Sequence, residues 1–486
     1  MRLRLGTAYQ HLTHGTGCLC QTPLVAAVNE RLSQGLTRRS VLCGMAAAVA
    51  VSSQAGSIGR ALAQEARKPV VLSNVRIFDG RSSALIEGKN VLVSGGLIES
   101  LVPVGEKVAD ADILDCGGRF VMPGLIDAHW HAILAGIPEI VALTADVPYV
   151  HLLAAREAQR TLLRGFTTVR DVGGPVFSLK RAIDEGQAEG PRVYPSGALI
   201  SQTAGHGDFR WRNEVPRSTL SSLSAAEIAG VSAIADGVPE VLRRVREQLL
   251  LGASQVKIVV GGGVSSLYDP LDTVQFRADE IRAAVDAAAD WGTYVCAHVY
   301  TPEGIKRSLE NGVRSIEHGQ LADEESVRMM ADKGAWWSIQ PFLADEDANP
   351  KSNPVQRRQQ EEIAVGTVRA FELGPKYGVK MAFGTDILFS PAQTASQGRQ
   401  LSKLARWMDP AEVLRMATSG NAELLAMSGA RNPYPGKLGV VEAGALADLI
   451  VVEGDPLKNI ALIGDPETNF RLIMKAGRVY KDTLRA

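Results

Sequence analysis

The sequence predicts an α/β protein in which a distorted (β/α)8 TIM barrel carries a small β-sandwich domain built from the N- and C-terminal segments. Three observations support this fold class. Short apolar runs alternate with segments of helical periodicity over residues 119–384. On both sides of that region, apolar and polar residues alternate with a period of two. Histidine, lysine and aspartate residues stand in or just after the apolar runs, where such barrels carry their functional groups.

The composition is that of an ordinary globular protein. The chain of 486 residues is long enough for more than one domain, and its 45% hydrophobic and 22% charged residues can form a large core. Lys and Arg number 52 against 53 Asp and Glu, so we expect no nucleic-acid partner and no attraction to an anionic membrane. Of the five cysteines, only Cys116 and Cys296 follow residue 64, and both are predicted to be buried free thiols.

Residues 1–63 are predicted to be a twin-arginine-type signal peptide. Arg38 and Arg39 precede an Ala/Val-rich run, Val41–Val51, and a stretch of small residues follows at Ala61–Ala63. The apolar run has about 11 residues, whereas a bilayer-spanning helix needs about 20, so we expect no stable membrane anchor. The alternative is an accidental arginine pair in a disordered tail. The prediction implies transient contact with the twin-arginine export machinery and a periplasmic or secreted protein.

The two ends of the mature chain are predicted to form the β-sandwich domain. Residues 64–120 contain the alternating runs VVLSNVRIF and NVLVSGGLIESL, and residues 433–486 contain LADLIVVEG and NFRLIMKAGRVY. Glycine, aspartate and asparagine separate these runs, as expected of turns. Because the two β segments flank everything else, we expect them to meet in one domain.

The barrel is predicted over residues 121–432. Its eight strand candidates are Arg119–Ala128, Thr167–Val172, Arg192–Ile200, Gln255–Val260, Tyr294–His298, Arg314–Glu317, Trp336–Gln340 and Lys380–Gly384. Segments with a 3.6-residue period separate most of them, such as Val238–Leu251 and Ala278–Trp291. A doubly wound open sheet is the alternative fold. The glycines at 261–263 match neither a dinucleotide-binding motif nor a P-loop.

Four histidines and one aspartate at the strand ends predict a metal site. His129 and His131 follow the first strand candidate, where residues two apart point to the same face and can reach one ion. His298 and His318 stand at the ends of the fifth and sixth candidates. Asp386 follows the eighth, where a carboxylate could bind a metal and act as general base. The structural alternatives are core histidines and, for Asp386, a helix N-cap.

Lys257 is the least expected residue of the barrel. Its neighbours in QVKIVV are apolar, so a buried ammonium would carry a large desolvation cost. One interpretation is a lysine paired with a carboxylate across the barrel. The other is a neutral amine that reacts with carbon dioxide to form N6-carboxylysine, which is long enough to bridge two metal ions.

These motifs together resemble the amidohydrolase superfamily. VMPGLIDAHWH, the strand-four lysine, the histidines of strands five and six, GTD and GKLGVVEAGALADLIVVEGDPL all correspond, so the resemblance covers Val70 to about Tyr480. It implies two divalent ions, for which zinc is the best-suited metal, held by six side chains. These are His129, His131 and Asp386 for the more buried ion, His298 and His318 for the other, and carboxylated Lys257 as the bridge.

A narrower resemblance concerns the substrate. DGVPEVLRRVREQLLLGASQVKIVVGGGVSS and AHVYTPEGIKRSLENGVRSIEHG are similar to imidazolonepropionase-related prolidases, Xaa-Pro carboxypeptidases and ochratoxin-hydrolysing amidohydrolases. The resemblance implies that a metal-bridging hydroxide hydrolyses an N-acyl amino acid or a dipeptide. His206 and Tyr268 are then candidates to contact the scissile carbonyl or the substrate carboxylate. The loop before His206 reads Ala204-Gly205 where two glycines are usual, which leaves specificity open.

Two other functions remain as alternatives. One is a cyclic-amide hydrolase of the imidazolonepropionase type, which would use the same metal ions on a ring. The other is a catalytically inactive binding or scaffold protein, although such relatives usually lack several ligands. The resemblance also implies a homo-oligomer. The preferred acyl group and amino acid do not follow from the sequence.

Overall fold

The computed structural model describes residues 68–214, 223–266 and 268–485. The predicted signal peptide and its arginine pair lie outside the described residues. Within the described part of the chain, no helix is both long enough and apolar enough to cross a bilayer.

The strands are numbered along the chain. They are β1 (Val70–Ile77), β2 (Lys89–Ser94), β3 (Leu97–Pro103), β4 (Asp112–Pro123), β5 (Leu125–Trp130), β6 (Phe166–Asp171), β7 (Arg192–Pro195), β8 (Leu199–Ser201), β9 (Ser232–Ile234), β10 (Val256–Val259), β11 (Val295–Val299), β12 (Ser315–His318), β13 (Trp336–Ile339), β14 (Lys380–Phe383), β15 (Leu449–Val452), β16 (Phe470–Lys475) and β17 (Arg478–Asp482).

The α-helices of the described residues follow the same convention. They are α1 (Glu139–Thr144), α2 (Val147–Leu163), α3 (Phe177–Asp184), α4 (Ala225–Ile228), α5 (Val238–Leu251), α6 (Ala278–Asp290), α7 (Pro302–Glu310), α8 (Glu324–Asp332), α9 (Pro354–Lys376), α10 (Gln397–Ser402), α11 (Pro410–Arg415), α12 (Asn421–Ala426) and α13 (Pro466–Asn469).

Both ends of the described chain contribute to one seven-stranded sheet, in the order β17-β16-β15-β4-β1-β2-β3. The junction is the antiparallel pair β4–β15, in which Pro123 faces Leu449 and Phe120 faces Val452. An apolar cluster with members on β1 to β4, β15 and β16 covers one side of this sheet. The prediction that the two terminal segments meet in one β domain is confirmed.

The parallel strands between these ends form the barrel. They fall into a three-stranded sheet, β5-β6-β7, and a seven-stranded sheet, β14-β13-β12-β11-β10-β8-β9. The Asn421 side chain connects β14 to β5, because its Nδ2 donates to the carbonyls of Ile126 (2.7 Å) and Phe383 (2.8 Å). The strands thus follow one another around a distorted barrel, and the prediction of a barrel rather than an open sheet is confirmed.

The predicted boundaries of two strands are wrong. The run Arg119–Ala128 is not one barrel strand, because its first part belongs to β4 of the terminal sheet and β5 begins only after Gly124. The run Arg192–Ile200 is divided between β7 and β8, which pair with different sheets and are separated by Gly197 at φ 76°. The short strand β9 was not predicted at all.

The helix boundaries agree with those predicted from the 3.6-residue period more closely than the strand boundaries do. Helix α5 spans the predicted Val238–Leu251 without change, and α6 ends one residue before the predicted Trp291. The buried faces of α5 and α6 join the apolar residues of β10 and β11 in the largest core cluster. This packing holds the barrel strands in register, so their carboxyl ends are positioned to form one site.

Candidate metal centre

All six predicted metal-binding side chains line one cavity at the carboxyl ends of the barrel strands. The cavity has a volume of about 310 Å³, and it also contacts His206. The set that it brings together is His129, His131, Lys257, His298, His318 and Asp386. These residues are separated by up to about 260 positions in the sequence, so the barrel is what assembles them.

The first group in the cavity consists of His129, His131 and Asp386. An oxygen of the Asp386 carboxylate lies 3.3 Å from Nε2 of His129 and 3.0 Å from Nε2 of His131. The backbone brings them together, because the Asp386 N–H donates to the His129 carbonyl at 2.8 Å. Gly384 permits this approach, since a Cβ at that position would lie 2.3 Å from the Cβ of His129. The close contact of β14 with β5 therefore requires glycine at position 384.

The donor atoms of His129, Asp386 and His318, a histidine of the second group described below, could together hold a divalent metal ion. Nitrogen atoms of His129 and His318 and an oxygen of Asp386 all lie within 4.8 Å of one another. Nε2 of His129 is buried and has no hydrogen-bond partner among the described residues. Nδ1 of His131 faces the Gly173 carbonyl at 2.9 Å, which leaves its Nε2 directed at the carboxylate. Imidazole nitrogens and a carboxylate oxygen are suitable zinc ligands.

Glu317 holds His129 in this orientation. One of its oxygens lies 2.8 Å from Nδ1 of His129, so that ring nitrogen carries the proton and Nε2 remains free as an acceptor. Arg170 in turn approaches both carboxylate oxygens at 2.7 Å, and the hydroxyl of Ser315 donates to one of them at 2.6 Å. Glu317 is fully buried. Burial alone would raise the pKa of Glu317, but Arg170 and His129 hold it well below its usual value.

The sequence interpretation overlooked this pair. Arg170 and Glu317 are charged residues within apolar strands, the same signal that drew attention to Lys257. Only their contact across the barrel explains how two charges can be accommodated in the core, since each compensates the other.

His298 and His318 form the second group. Nε2 of His298 lies 3.1 Å from the Gly262 carbonyl, and Nδ1 of His318 lies 2.8 Å from Oε1 of Gln340. Their ring centroids are 4.4 Å apart. Burial holds the pKa of both imidazoles well below the usual value, so both are neutral, which is the form that binds a metal. Each therefore keeps one ring nitrogen as an acceptor.

Lys257 is buried in β10 and lines the same cavity. None of the ion pairs among the described residues includes it, although the charges of Glu317, Asp386 and Arg170 act on it. Burial lowers the pKa of its ammonium group. The interpretation of Lys257 as one half of an ion pair thus finds no partner in the described structure.

Two residues of the centre have left-handed backbone conformations. His318 has φ 75° and Asp386 has φ 50°, values that non-glycine residues rarely adopt. Such conformations cost of the order of 1–3 kcal/mol each and concentrate at functional sites. They turn both side chains into the cavity at the point where their strands end.

His206 also lies at the centre, on the loop after β8. Its ring stacks on that of His298 with 4.3 Å between centroids, and its Nδ1 lies 2.7 Å from the Ser266 hydroxyl and 3.1 Å from an oxygen of Asp269. The second face of the ring lies against Gly263, where a Cβ would come within 2.1 Å of an imidazole carbon. A Cβ at Gly262 would lie 1.9 Å from the Pro270 carbonyl oxygen, so close packing explains the glycines at 262 and 263.

Tyr268 is not part of the cavity lining. Its side chain is 38% exposed and lies under the guanidinium of Arg212 at 4.5 Å from the ring centroid. A different tyrosine, Tyr300, lines the cavity and stacks on His318 with 4.9 Å between centroids. Tyr300 directly follows β11. Its position two residues after the predicted ligand His298 was the signal in the sequence that could have identified it as a cavity residue.

Comparisons with known proteins agree with this geometry. A model of the amidohydrolase family matches residues 120–481. Ochratoxinase from Aspergillus niger is 32% identical over 386 residues, which cover 74% of this chain and 75% of the relative. Imidazolonepropionase from Deinococcus radiodurans is 25% identical over 386 residues, covering 78% of this chain and 88% of the relative.

A solved structure extends the similarity to three dimensions. The crystal structure of a prolidase complexed with N-methylphosphonate-L-proline has 33% sequence identity to this chain and a TM-score of 0.79. The match covers 85% of this chain and all of the prolidase, 100%. The family match and the identity to ochratoxinase show that the chain belongs to the amidohydrolase family and is an enzyme that hydrolyses amide-type carbon–nitrogen bonds.

Proposed function

We propose that this enzyme hydrolyses the amide bond of an N-acyl amino acid or a dipeptide, with Xaa-Pro dipeptides and ochratoxin-type amides as the first candidates. The observation that supports the proposal is the set of residues that line the site. Donor groups for metal ions lie in a cavity that also has apolar walls and cationic side chains, which suits an apolar acyl group joined to an amino acid. The prolidase relative binds an N-substituted L-proline, and the ochratoxinase is named for an amide substrate.

We further propose that two divalent ions, preferably zinc, are held by the six side chains, with Lys257 carboxylated between them. When bound, the ions would lower the pKa of water and polarise the scissile carbonyl. Asp386 would accept the proton of the attacking water and return it to the leaving nitrogen. Its pKa is held well below the usual value, so the carboxylate is ionised before the reaction. Burial opposes that shift, but His129 and His131 outweigh it.

His206 would orient the substrate. Its Nδ1 is occupied by Ser266 and Asp269, so Nε2 is the nitrogen available for the scissile carbonyl or the substrate carboxylate. Tyr268, the other residue predicted for this role, would need a movement of its loop to reach the substrate, because it lies outside the cavity lining.

A hydrolysis panel tests the proposal. Purified enzyme loaded with zinc, manganese or cobalt is incubated with N-acyl amino acids, Xaa-Pro dipeptides, ochratoxin A and cyclic imidazolones, and products are identified by mass spectrometry. We expect turnover of linear amides that carry a free carboxylate, and its loss on chelation. Full activity in a metal-free preparation, or no turnover of any linear amide, would overturn the proposal.

The same panel tests the second candidate function, a cyclic-amide hydrolase. The observation in its favour is the similarity to imidazolonepropionase over 88% of that relative. Turnover of the imidazolones with no cleavage of linear amides would establish it. Absence of turnover on every substrate in the metal-loaded state would instead favour an inactive binding protein.

Carboxylation of Lys257 is tested by its removal. Lys257→Ala should lose most activity and bind less metal, because both ions would lose a shared anion. Short-chain carboxylic acids should restore part of the activity. A variant with unchanged metal content and rate would show that the lysine does not serve as the bridge.

We also propose that the enzyme is exported through the twin-arginine route and forms a homo-oligomer. Replacing both Arg38 and Arg39 with lysine should retain the precursor in the cytoplasm, while the exported form should begin near Gln64. Efficient export of the double variant would contradict this route. Light scattering of the purified enzyme would give its oligomeric state, and a monomer would contradict the second part.

A further inference from the structure

The lining of the cavity contains both apolar and charged residues. Leu199, Phe209 and Val264 contribute apolar surface. The charged residues lie on the side formed by the loop between β13 and α9, the beginning of α9 and the segment around α10, and Phe342 of that loop adds apolar surface there. A substrate in the cavity would therefore meet both apolar atoms and charged groups.

Most of the charges on that side neutralise one another. Lys403 lies 2.7 Å from a carboxylate oxygen of Asp345 and 2.7 Å from one of Asp347. Arg399 adds a second cation to Asp347 at 2.7 Å. These ion pairs connect the loop after β13 to α10 and to the residue that follows it. The paired charges neutralise one another.

Arg357 is different. It lines the cavity, yet none of the ion pairs formed among the described residues includes its guanidinium, and its Nε donates to the Lys351 carbonyl at 3.0 Å. Glu361, one turn further along α9, also lines the cavity, but no ion pair joins it to Arg357. Burial raises the pKa of Glu139, and the positive charge of Lys351 opposes that shift. Arg357 is exposed and, like Lys351, carries a positive charge that is in no ion pair among the described residues.

The backbone around Arg357 is well anchored. The amide of Gln360 accepts from the Lys351 N–H at 3.2 Å and donates to the Asn349 carbonyl at 2.9 Å. Gln356 donates to the carbonyls of Val264 (2.8 Å) and Ser266 (2.9 Å). Because Ser266 also contacts His206, the start of α9 is tied to the loop that positions this histidine. The start of α9 and the loop of His206 are therefore held together, and Arg357 and His206 line the same cavity.

We infer that Arg357 binds the carboxylate of the substrate's amino-acid part and so selects substrates with a free carboxylate. The inference rests on the proposed function, since it concerns the substrate of the same site. A guanidinium presents two parallel N–H donors that match a carboxylate. Tyr268, the residue predicted for this contact, lies outside the cavity lining. Besides Lys257, the lining cations in no ion pair among the described residues are Lys351 and Arg357, and of these two only the guanidinium can hold a carboxylate through two parallel N–H bonds.

The experiment compares two substrates that share the same scissile amide. One is the best linear substrate of the panel, and the other is its analogue with hydrogen in place of the carboxylate. For N-benzoyl-L-phenylalanine the analogue is N-benzoyl-2-phenylethylamine. Arg357→Ala should lower kcat/KM about 10-fold for the carboxylate substrate, mainly through KM, and leave the analogue unchanged within about twofold.

Arg358→Ala is the matched control, because Arg358 is the adjacent exposed arginine of α9 and does not line the cavity. It should leave both substrates unchanged. Glu361→Gln should change KM in the opposite direction to Arg357→Ala. Because it removes a negative charge from the cavity, it should lower KM for the carboxylate substrate. Both results would support the inference.

The outcomes separate this inference from the proposed function. If the wild type cleaves the carboxylate substrate and Arg357→Ala does so equally well, the inference fails and the function stands. An equal loss on both substrates would also overturn the inference, because it would show a general effect. If the wild type cleaves no linear amide, the proposed function fails, and this inference fails with it.

Discussion

Glu317→Gln is the most informative single substitution in this protein. It keeps the shape of the side chain but removes its negative charge. The carboxylate accepts hydrogen bonds from Arg170 on both oxygens at 2.7 Å, from the Ser315 hydroxyl at 2.6 Å and from Nδ1 of His129 at 2.8 Å. A glutamine amide has only one acceptor oxygen, so its NH2 group would face at least one of these donors.

The expected cost follows from burial. Both partners of the Arg170–Glu317 pair are fully buried, at 0% exposure. After the substitution, Arg170 keeps neutral partners only, namely the Ala128 carbonyl and the Tyr294 and Ser315 hydroxyls. Removing one partner of a buried ion pair costs about 3–5 kcal/mol. That is a large part of a typical total stability of about 5–15 kcal/mol.

The substitution should also weaken metal binding. His129 would at best keep a neutral amide oxygen in place of the carboxylate that holds the proton on Nδ1 and leaves Nε2 free. Loss of such a contact typically lowers metal affinity about 10- to 100-fold. The assays are urea unfolding of the chelated protein and zinc titration of the same preparation.

Glu453→Gln is the matched control. Glu453 also contacts two arginines, Arg119 at 2.8 Å and Arg471 at 3.1 Å, but its side chain is 43% exposed. Exposed pairs contribute only about 0–1 kcal/mol. If Glu317→Gln shifts the urea midpoint no more than Glu453→Gln does, and zinc affinity is unchanged, the reasoning about the buried pair is refuted.

Three further predictions concern separate parts of the molecule. Asp386→Asn should lower kcat by about 10² to 10⁴, and a variant that keeps its metal and a near-normal kcat would move the general-base role elsewhere. Burial raises the pKa of both Cys116 and Cys296 to about 12, so the native protein should resist thiol reagents at pH 8 and react after denaturation; rapid reaction of the native protein would contradict this. Burial lowers the pKa of Lys475, which donates to the Gly190 carbonyl, to about 8. The folded lysine therefore loses its proton before the unfolded one as the pH rises, so its destabilising effect, of the order of 2–3 kcal/mol, should diminish between pH 8 and 10.5. The unfolding midpoint of wild type should rise relative to that of Lys475→Met as the pH increases across that range, and a constant difference between the two would contradict the shift.

The sequence by itself determined the fold class and the residues that meet at the centre. Alternating apolar runs identified most barrel strands, because a parallel strand covered on both faces must be apolar throughout. Against that background, a lysine, two histidine pairs and an aspartate at strand ends are conspicuous. Helix α5 was predicted to the residue, since its apolar period and its following glycine are local signals. These features depend on near neighbours in the chain, which is why they could be predicted.

The tertiary structure decided what depends on contacts between distant segments. Arg170 and Glu317 are 147 residues apart, and their pairing depends on how β6 and β12 are placed in the barrel. The division of the third strand candidate follows from which neighbours β7 and β8 pair with, and the sequence of that run does not contain this information. Tyr300 lies in the cavity and Tyr268 outside it for the same reason. Asp345 and Asp347 pair with Lys403 and Arg399, whereas Arg357 is in no ion pair among the described residues. Charge compensation is a property of packed side chains, and packing exists only once the chain has folded.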